Sequence, residues 1–172
     1  MDVHPLPPLL HNQPQLISGR VESLARDLLA RYGSVAVGYA DCGTYGALDE
    51  VCSRLGLSRL EGLHCYDIFG GASRMERFFE EQPGTYVLTD FLVRSFTRTV
   101  VRELGLDRYP ELRDTYFGRY TRVVWLAQEP DAELHSLATQ AAERIGLPLT
   151  VVDTGTSGLE RGLASLLPVV SR

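Results

Sequence analysis

Residues 34–46 read Ser-Val-Ala-Val-Gly-Tyr-Ala-Asp-Cys-Gly-Thr-Tyr-Gly, and they constrain the fold more tightly than any other stretch. The run from Val35 to Val37 is apolar and largely β-branched, as a buried strand requires. A turn follows, loosened by Gly43 and Gly46 and carrying Tyr39, Asp41 and Cys42, and then a helical pattern with Leu48 and Val51 on its apolar side. Strand, glycine turn and helix in immediate succession make the βα unit of an open parallel sheet. In such sheets ligands gather beyond the carboxyl ends of the strands, which is where this turn puts the Cys42 thiol.

The rest of the chain repeats the alternation. Val3–Leu10 reads as a short extended segment interrupted by prolines. Apolar residues at 17, 21, 24, 25, 28, 29 and 32 then mark a helix from Leu16 to Tyr32, closed by Gly33. The helix after Cys42 is expected from about Thr44 to Leu55, stopping at Gly56. Leu57–Leu63 is a weaker extended stretch leading to His64-Cys65-Tyr66-Asp67. Ser73 and Glu76 have capping-box spacing ahead of a helix with Met75, Phe78 and Phe79. Tyr86–Leu88 is a short strand, and Asp90 opens a helix with Leu92, Phe96, Val100 and Leu104 on one side. A helix after Pro110, a buried strand over Thr121–Ala127, a helix over Asp131–Ile145, a strand over Leu149–Asp153 and a helix capped by Ser157 and Glu160 complete the chain. The expectation is one α/β domain over residues 1–172, a three-layer, Rossmann-like, mainly parallel sheet with helices on both faces.

Composition narrows the function. A net charge of −5 argues against a nucleic-acid or anionic-membrane partner, both of which favour a basic field. All 17 basic residues are arginine, so lysine chemistry, including Schiff bases and a P-loop lysine, is excluded. No run approaches the ~18 apolar residues of a membrane span. The N-terminal residues lack a secretory pattern, and the three cysteines are an odd number, so the expected setting is cytoplasmic and reducing.

Past the expected strand ends lie His11; Asp41 and Cys42; His64, Cys65 and Asp67; Asp90; and Asp153. Imidazole and thiolate are zinc ligands and also suit iron, including an iron–sulfur cluster. The metal candidates are therefore His11, Cys42, His64 and Cys65. Successive side chains of an extended segment point to opposite faces, so only one of His64 and Cys65 is expected at the site, with Cys65 preferred. Asp41 and Asp67 are candidates for orienting a histidine or acting as general base. Tyr39 and Gly43 would line the pocket. Arg94 and Arg98, one turn apart, could clamp an anionic ligand, against the alternative of a solvated face paired with acids. Cys42 could equally be a small core residue, although a turn position beside glycine favours function. Cys52, among Leu48, Val51 and Leu55, reads as core packing.

Four motifs, Leu10-His11-Asn12-Gln13-Pro14, Val37-Gly38-Tyr39-Ala40-Asp41-Cys42-Gly43, Leu63-His64-Cys65-Tyr66-Asp67 and Glu81-Gln82-Pro83-Gly84-Thr85-Tyr86, resemble in order and spacing the landmarks of domain of unknown function family 1638. The resemblance runs from about residue 8 to residue 165. The family pattern commonly has His-Asp-Cys where this chain reads His64-Cys65-Tyr66-Asp67, and an additional leading strand with its own cysteine turn that this chain lacks. The resemblance implies a setting near corrinoid-dependent methyltransferases. Two functions follow as expectations. One is a metal-binding protein of methyl or one-carbon metabolism with an open position for a thiol or small substrate. The other is a non-metal accessory or sensor module that binds a corrinoid or an anionic small molecule, or a methyltransferase protein.

Overall fold

The computed structural model describes residues 2–166, which form a mixed α/β protein with two small, wholly parallel sheets and no closed barrel. Contacts gather into two compact units, one running up to Ile68 and taking in the segment from Leu159, the other spanning Phe69–Gly158.

In the first unit, β1 (Ala36–Val37) pairs in parallel with β2 (Ser58–Arg59), and α2 (Ala47–Leu55) connects them. α1 (Ile17–Leu29) buries Ile17, Val21, Ala25 and Leu28, the expected stripe. Ile17 and Val21 pack with Leu10, Val37, Leu48 and Cys52, while Tyr39 and Cys42 lie against the edge of this cluster. α1 stops before Tyr32, whose hydroxyl donates to Asp2 and lies 3.3 Å from His4 Nε2. α2 ends at Gly56 with φ +67, and Leu57 N–H reaches back to Cys52 O, a Schellman-type close.

The first unit departs from expectation at its start. Pro8–Asn12 is a 3-10 turn that takes in the last three residues of the expected extended segment Val3–Leu10, and a second turn, Pro14–Leu16, leads into α1. Proline's fixed φ suits the first position of a helical turn as well as it disrupts a strand, and both prolines take that position.

The second unit is built on β3 (Thr85–Thr89), β4 (Arg122–Ala127) and β5 (Leu149–Asp153), in that spatial order. Central β4 is buried from Val123 through Ala127, which explains its unbroken apolar run. Its core takes Leu88, Val93, Phe96, Trp125, Leu134, Ala138 and Ile145 from strands and helices alike. α7 (Ala132–Ile145) is N-capped by Asp131, which accepts from Leu134 N–H at 2.7 Å. α8 (Ser157–Leu166) begins at the expected Ser157, and its residues from Leu159 belong to the first unit.

Two helix expectations change. α4 (Ala72–Glu81) starts after Gly71 with no side-chain cap, so Ser73 and Glu76 form no capping box. α5 (Asp90–Phe96) gives way to a π-helical stretch over Thr97–Arg102 instead of continuing as one α-helix. Ser95 and Thr99 hydroxyls bond to the carbonyls of Phe91 and Ser95, the back-bonding that disturbs an α-helical ladder. α6 is the short helix Leu112–Phe117. Among the described residues no helix is long and apolar enough to cross a membrane.

Asp90 ties the carboxyl ends of β3 and β4 together. Thr89 supplies the cap of α5, which frees the Asp90 carboxylate to accept from Trp125 Nε1 at 2.8 Å, Gln128 N at 3.1 Å and Glu129 N at 2.8 Å. Trp125 is fully buried, so removing its acceptor leaves an indole N–H unpaired. Asp90→Ala is therefore expected to lower stability by about 2 kcal/mol, read as a lower urea midpoint, with Asp90→Asn in between because it keeps one acceptor oxygen.

Candidate metal centre

The two strands of the first unit are only two residues long, yet their pairing is extended by backbone hydrogen bonds through the turns that follow. Leu60 N–H donates to Val37 O at 3.1 Å, Asp41 N–H to Gly62 O at 3.1 Å and Cys42 N–H to Leu63 O at 2.8 Å. This zipper carries the Cys42 turn alongside the entry to α3 (Cys65–Gly70).

Each turn is organised by its own carboxylate. Asp41 Oδ1 accepts from Thr44 Oγ1 at 2.7 Å and Gly46 N at 3.0 Å, and its Oδ2 from Tyr45 N at 3.1 Å. These bonds hold residues 44–46 out of α2, which begins at Ala47 rather than near Thr44. Asp67 Oδ2 accepts from Leu63 N at 3.1 Å and His64 N at 2.9 Å. The Cys42 turn has φ values of +52 at Cys42, +81 at Gly43, +52 at Tyr45 and +88 at Gly46. Left-handed backbone costs a non-glycine residue roughly 1–2 kcal/mol, so Cys42 and Tyr45 are held there by the Asp41 bonds and the zipper.

His11 reaches the same place from the N-terminal 3-10 turns. The ring of Pro14 lies against Gly43, where a Cβ added at Gly43 would sit 3.5 Å from Pro14 Cβ. The imidazole of His11 stacks on Tyr39, with centroids 5.7 Å apart and planes 23° apart. His11 Nδ1 lies 3.2 Å from Pro8 O, and a carbonyl only accepts, so this contact places the proton on Nδ1 and leaves the Nε2 lone pair free. Metal-binding histidines are commonly oriented in this way.

One ligand atom each from His11, Cys42 and Cys65 lies within 4.8 Å of the other two. Tetrahedral zinc with Zn–S near 2.3 Å holds its sulfurs ~3.8 Å apart, so the three donors need only a small contraction to share an ion. His11 is exposed and both cysteines are half-buried, which places the group at the surface. The Cys65 thiol donates to the Cys42 sulfur, and this bond, helped by backbone N–H groups and opposed by burial, holds the Cys42 thiol below its ordinary pKa. Cys65 is pushed far up because it keeps the proton for Cys42, with burial adding to the effect. Burial, and then the two sulfurs, raise Tyr39, which keeps its phenol neutral. Cys52 is buried in the core with its thiol pushed up by burial.

The remaining candidates are not members of this three-residue group. His64 is exposed and stacks on Tyr66 at 4.7 Å, outside the three-residue group. The parity argument for His64 and Cys65 does not apply here, because Cys65 opens a helix instead of continuing an extended segment. Both Asp41 oxygens accept from turn amides and the Thr44 hydroxyl, and Asp67 Oδ2 accepts from two turn amides. Arg94 and Arg98 belong to the second unit and are exposed, and Arg94 lies 3.9 Å from the Asp131 carboxylate. The parts played by Pro8 and Pro14 were not legible beforehand; the available signal was the His-x-x-Pro spacing, which puts the imidazole on the first 3-10 turn and starts the second with a proline seated on Gly43.

The Asp41 bonds yield a pH prediction. Burial raises this carboxyl, but the bonds from Thr44, Gly46 and Tyr45 outweigh it and leave the group below its ordinary value of 3.8. A depressed carboxyl stabilises the fold above its unfolded pKa, and that contribution is lost as pH falls through the folded value. Wild type should hold its full stability advantage over Asp41→Asn at neutral pH and lose it progressively below about pH 4. Urea midpoints for both proteins across that range check this, and a pH-independent difference would contradict it.

No curated protein and no solved structure matches the chain. A family model does match, over residues 5–163, which is nearly the whole chain and takes in the His11, Cys42 and Cys65 segments. The chain belongs to the family described as Protein of unknown function (DUF1638).

Proposed function

We propose that His11, Cys42 and Cys65 hold a zinc ion, with a fourth position open to a thiol or small substrate, in a protein of methyl or one-carbon metabolism. One observation carries this reading: an imidazole and two thiols, 31 and 23 residues apart in the chain, converge to within 4.8 Å. The donor set is the soft, nitrogen-and-sulfur kind that zinc favours over oxygen-seeking cations. Bound zinc would supply Lewis acidity and would keep both thiols deprotonated at neutral pH. Three protein ligands with an open fourth position are the arrangement of catalytic rather than structural zinc.

The chain's own residues have distinct roles in this proposal. Pro8 O and the Tyr39 ring orient His11. Asp41 holds the Cys42 turn and Asp67 holds the approach to Cys65, so both act as positioning residues for the ligands. Gly43 gives Pro14 its seat. Iron is the alternative metal for the same donors. An arginine clamp for a corrinoid or another anion draws less support, since Arg94 shares its charge with Asp131.

Elemental analysis of protein purified without chelator or histidine tag tests the reading. Wild type is expected to carry close to one zinc per chain. Cys42→Ser and Cys65→Ser should lose it, His11→Ala should weaken it by at least ~10-fold, and Cys52→Ser should retain it. Wild type without metal, or full occupancy in both cysteine variants, would overturn the proposal.

A further inference from the structure

We propose that Cys42 and Cys65 also form a reversible disulfide, so that oxidation by a low-molecular-weight disulfide and metal binding compete for the same two sulfurs. The release of metal rests on the proposed zinc site, whereas the dithiol itself does not. The two sulfurs lie within 4.8 Å of each other. A disulfide needs them at ~2.05 Å, an approach that side-chain rotation at the glycine-flanked Cys42 turn can supply. The hydrogen bond from Cys42 N–H to Leu63 O holds the two segments in register for that approach. Both cysteines are half-buried and so reachable from solvent, whereas Cys52 is buried in the core and is an internal control.

The chemistry balances without a further reactant. One sulfur attacks the low-molecular-weight disulfide, forming a mixed disulfide and expelling one thiol. The second sulfur attacks the first, closing the Cys42–Cys65 bond and expelling the other thiol. The protein loses two electrons and two protons, and one external disulfide becomes two thiols. A divalent ion held by the pair would be released without change of charge, since His11 alone would remain to hold it.

The experiment treats the full chain, metal-free and zinc-loaded, with oxidised glutathione. Alkylatable thiols are counted, the disulfide is mapped by mass spectrometry, and released zinc is read with a chromophoric chelator. Metal-free protein is expected to fall from three free thiols to one, with the bond mapped to Cys42 and Cys65. Cys52→Ser should oxidise in the same way. Zinc-loaded protein should release one metal ion per disulfide formed and take it back on reduction. Mixed glutathione adducts that never close, or a bond involving Cys52, would overturn the dithiol. Disulfide formation with zinc retained would overturn the competition. A wild type that binds no zinc would defeat the competition along with the site reading, and the metal-free arm would still decide the dithiol.

Discussion

Two hydrogen bonds, Asp41 N–H to Gly62 O and Cys42 N–H to Leu63 O, hold the candidate centre together. They continue a parallel pairing that is only two residues long as regular strand, Ala36 with Ser58 and Val37 with Arg59. Without them the Cys42 turn and the entry to α3 would be independent loops, and two half-buried thiols would have no reason to face each other. Each turn is then stiffened from inside, by Asp41 on one side and Asp67 on the other. The left-handed backbone at Cys42 and Tyr45 is a cost that these bonds offset. Strain of this kind persists where surrounding structure enforces it and tends to gather at functional positions.

The third donor arrives by packing rather than by pairing. Leu10 and Ile17 anchor the N-terminal turns in the small core around Val37 and Leu48. Pro14 on Gly43 and His11 on Tyr39 then set where the imidazole lies. The core also accounts for Cys52, which fills the same cluster and is removed from the chemistry by burial. The three cysteines thus divide into one packing residue and one opposed pair.

Much of the fold was legible in the sequence because periodic burial writes itself into composition. β4 is apolar from Val123 to Ala127 because it is central, and α7 shows its stripe because one face lies on that sheet. The break after Phe96 was not legible, since it depends on hydroxyl back-bonding that leaves the apolar spacing intact. The turn at Pro8–Asn12 was not legible, because proline ends a strand and begins a helical turn with equal ease. At the site, Cys42 stood out through its place beside glycine at a strand end. Cys65 rather than His64 lies beside Cys42 and His11, and a helix start organised by Asp67 puts it there rather than strand parity. For Arg94 the sequence leaves two readings open, an anion clamp and a solvated face paired with acids, and the nearby Asp131 carboxylate, 3.9 Å away, is of the second kind.

The central claim is that one imidazole and two thiolates from distant segments share a single ion. Zinc-edge X-ray absorption on the purified, reduced protein tests it most directly. The account requires two sulfur scatterers at about 2.3 Å together with an imidazole pattern at about 2.0–2.1 Å, and loss of the imidazole pattern in His11→Ala. A first shell of oxygen and nitrogen without sulfur, or one of four sulfurs without imidazole, would contradict it.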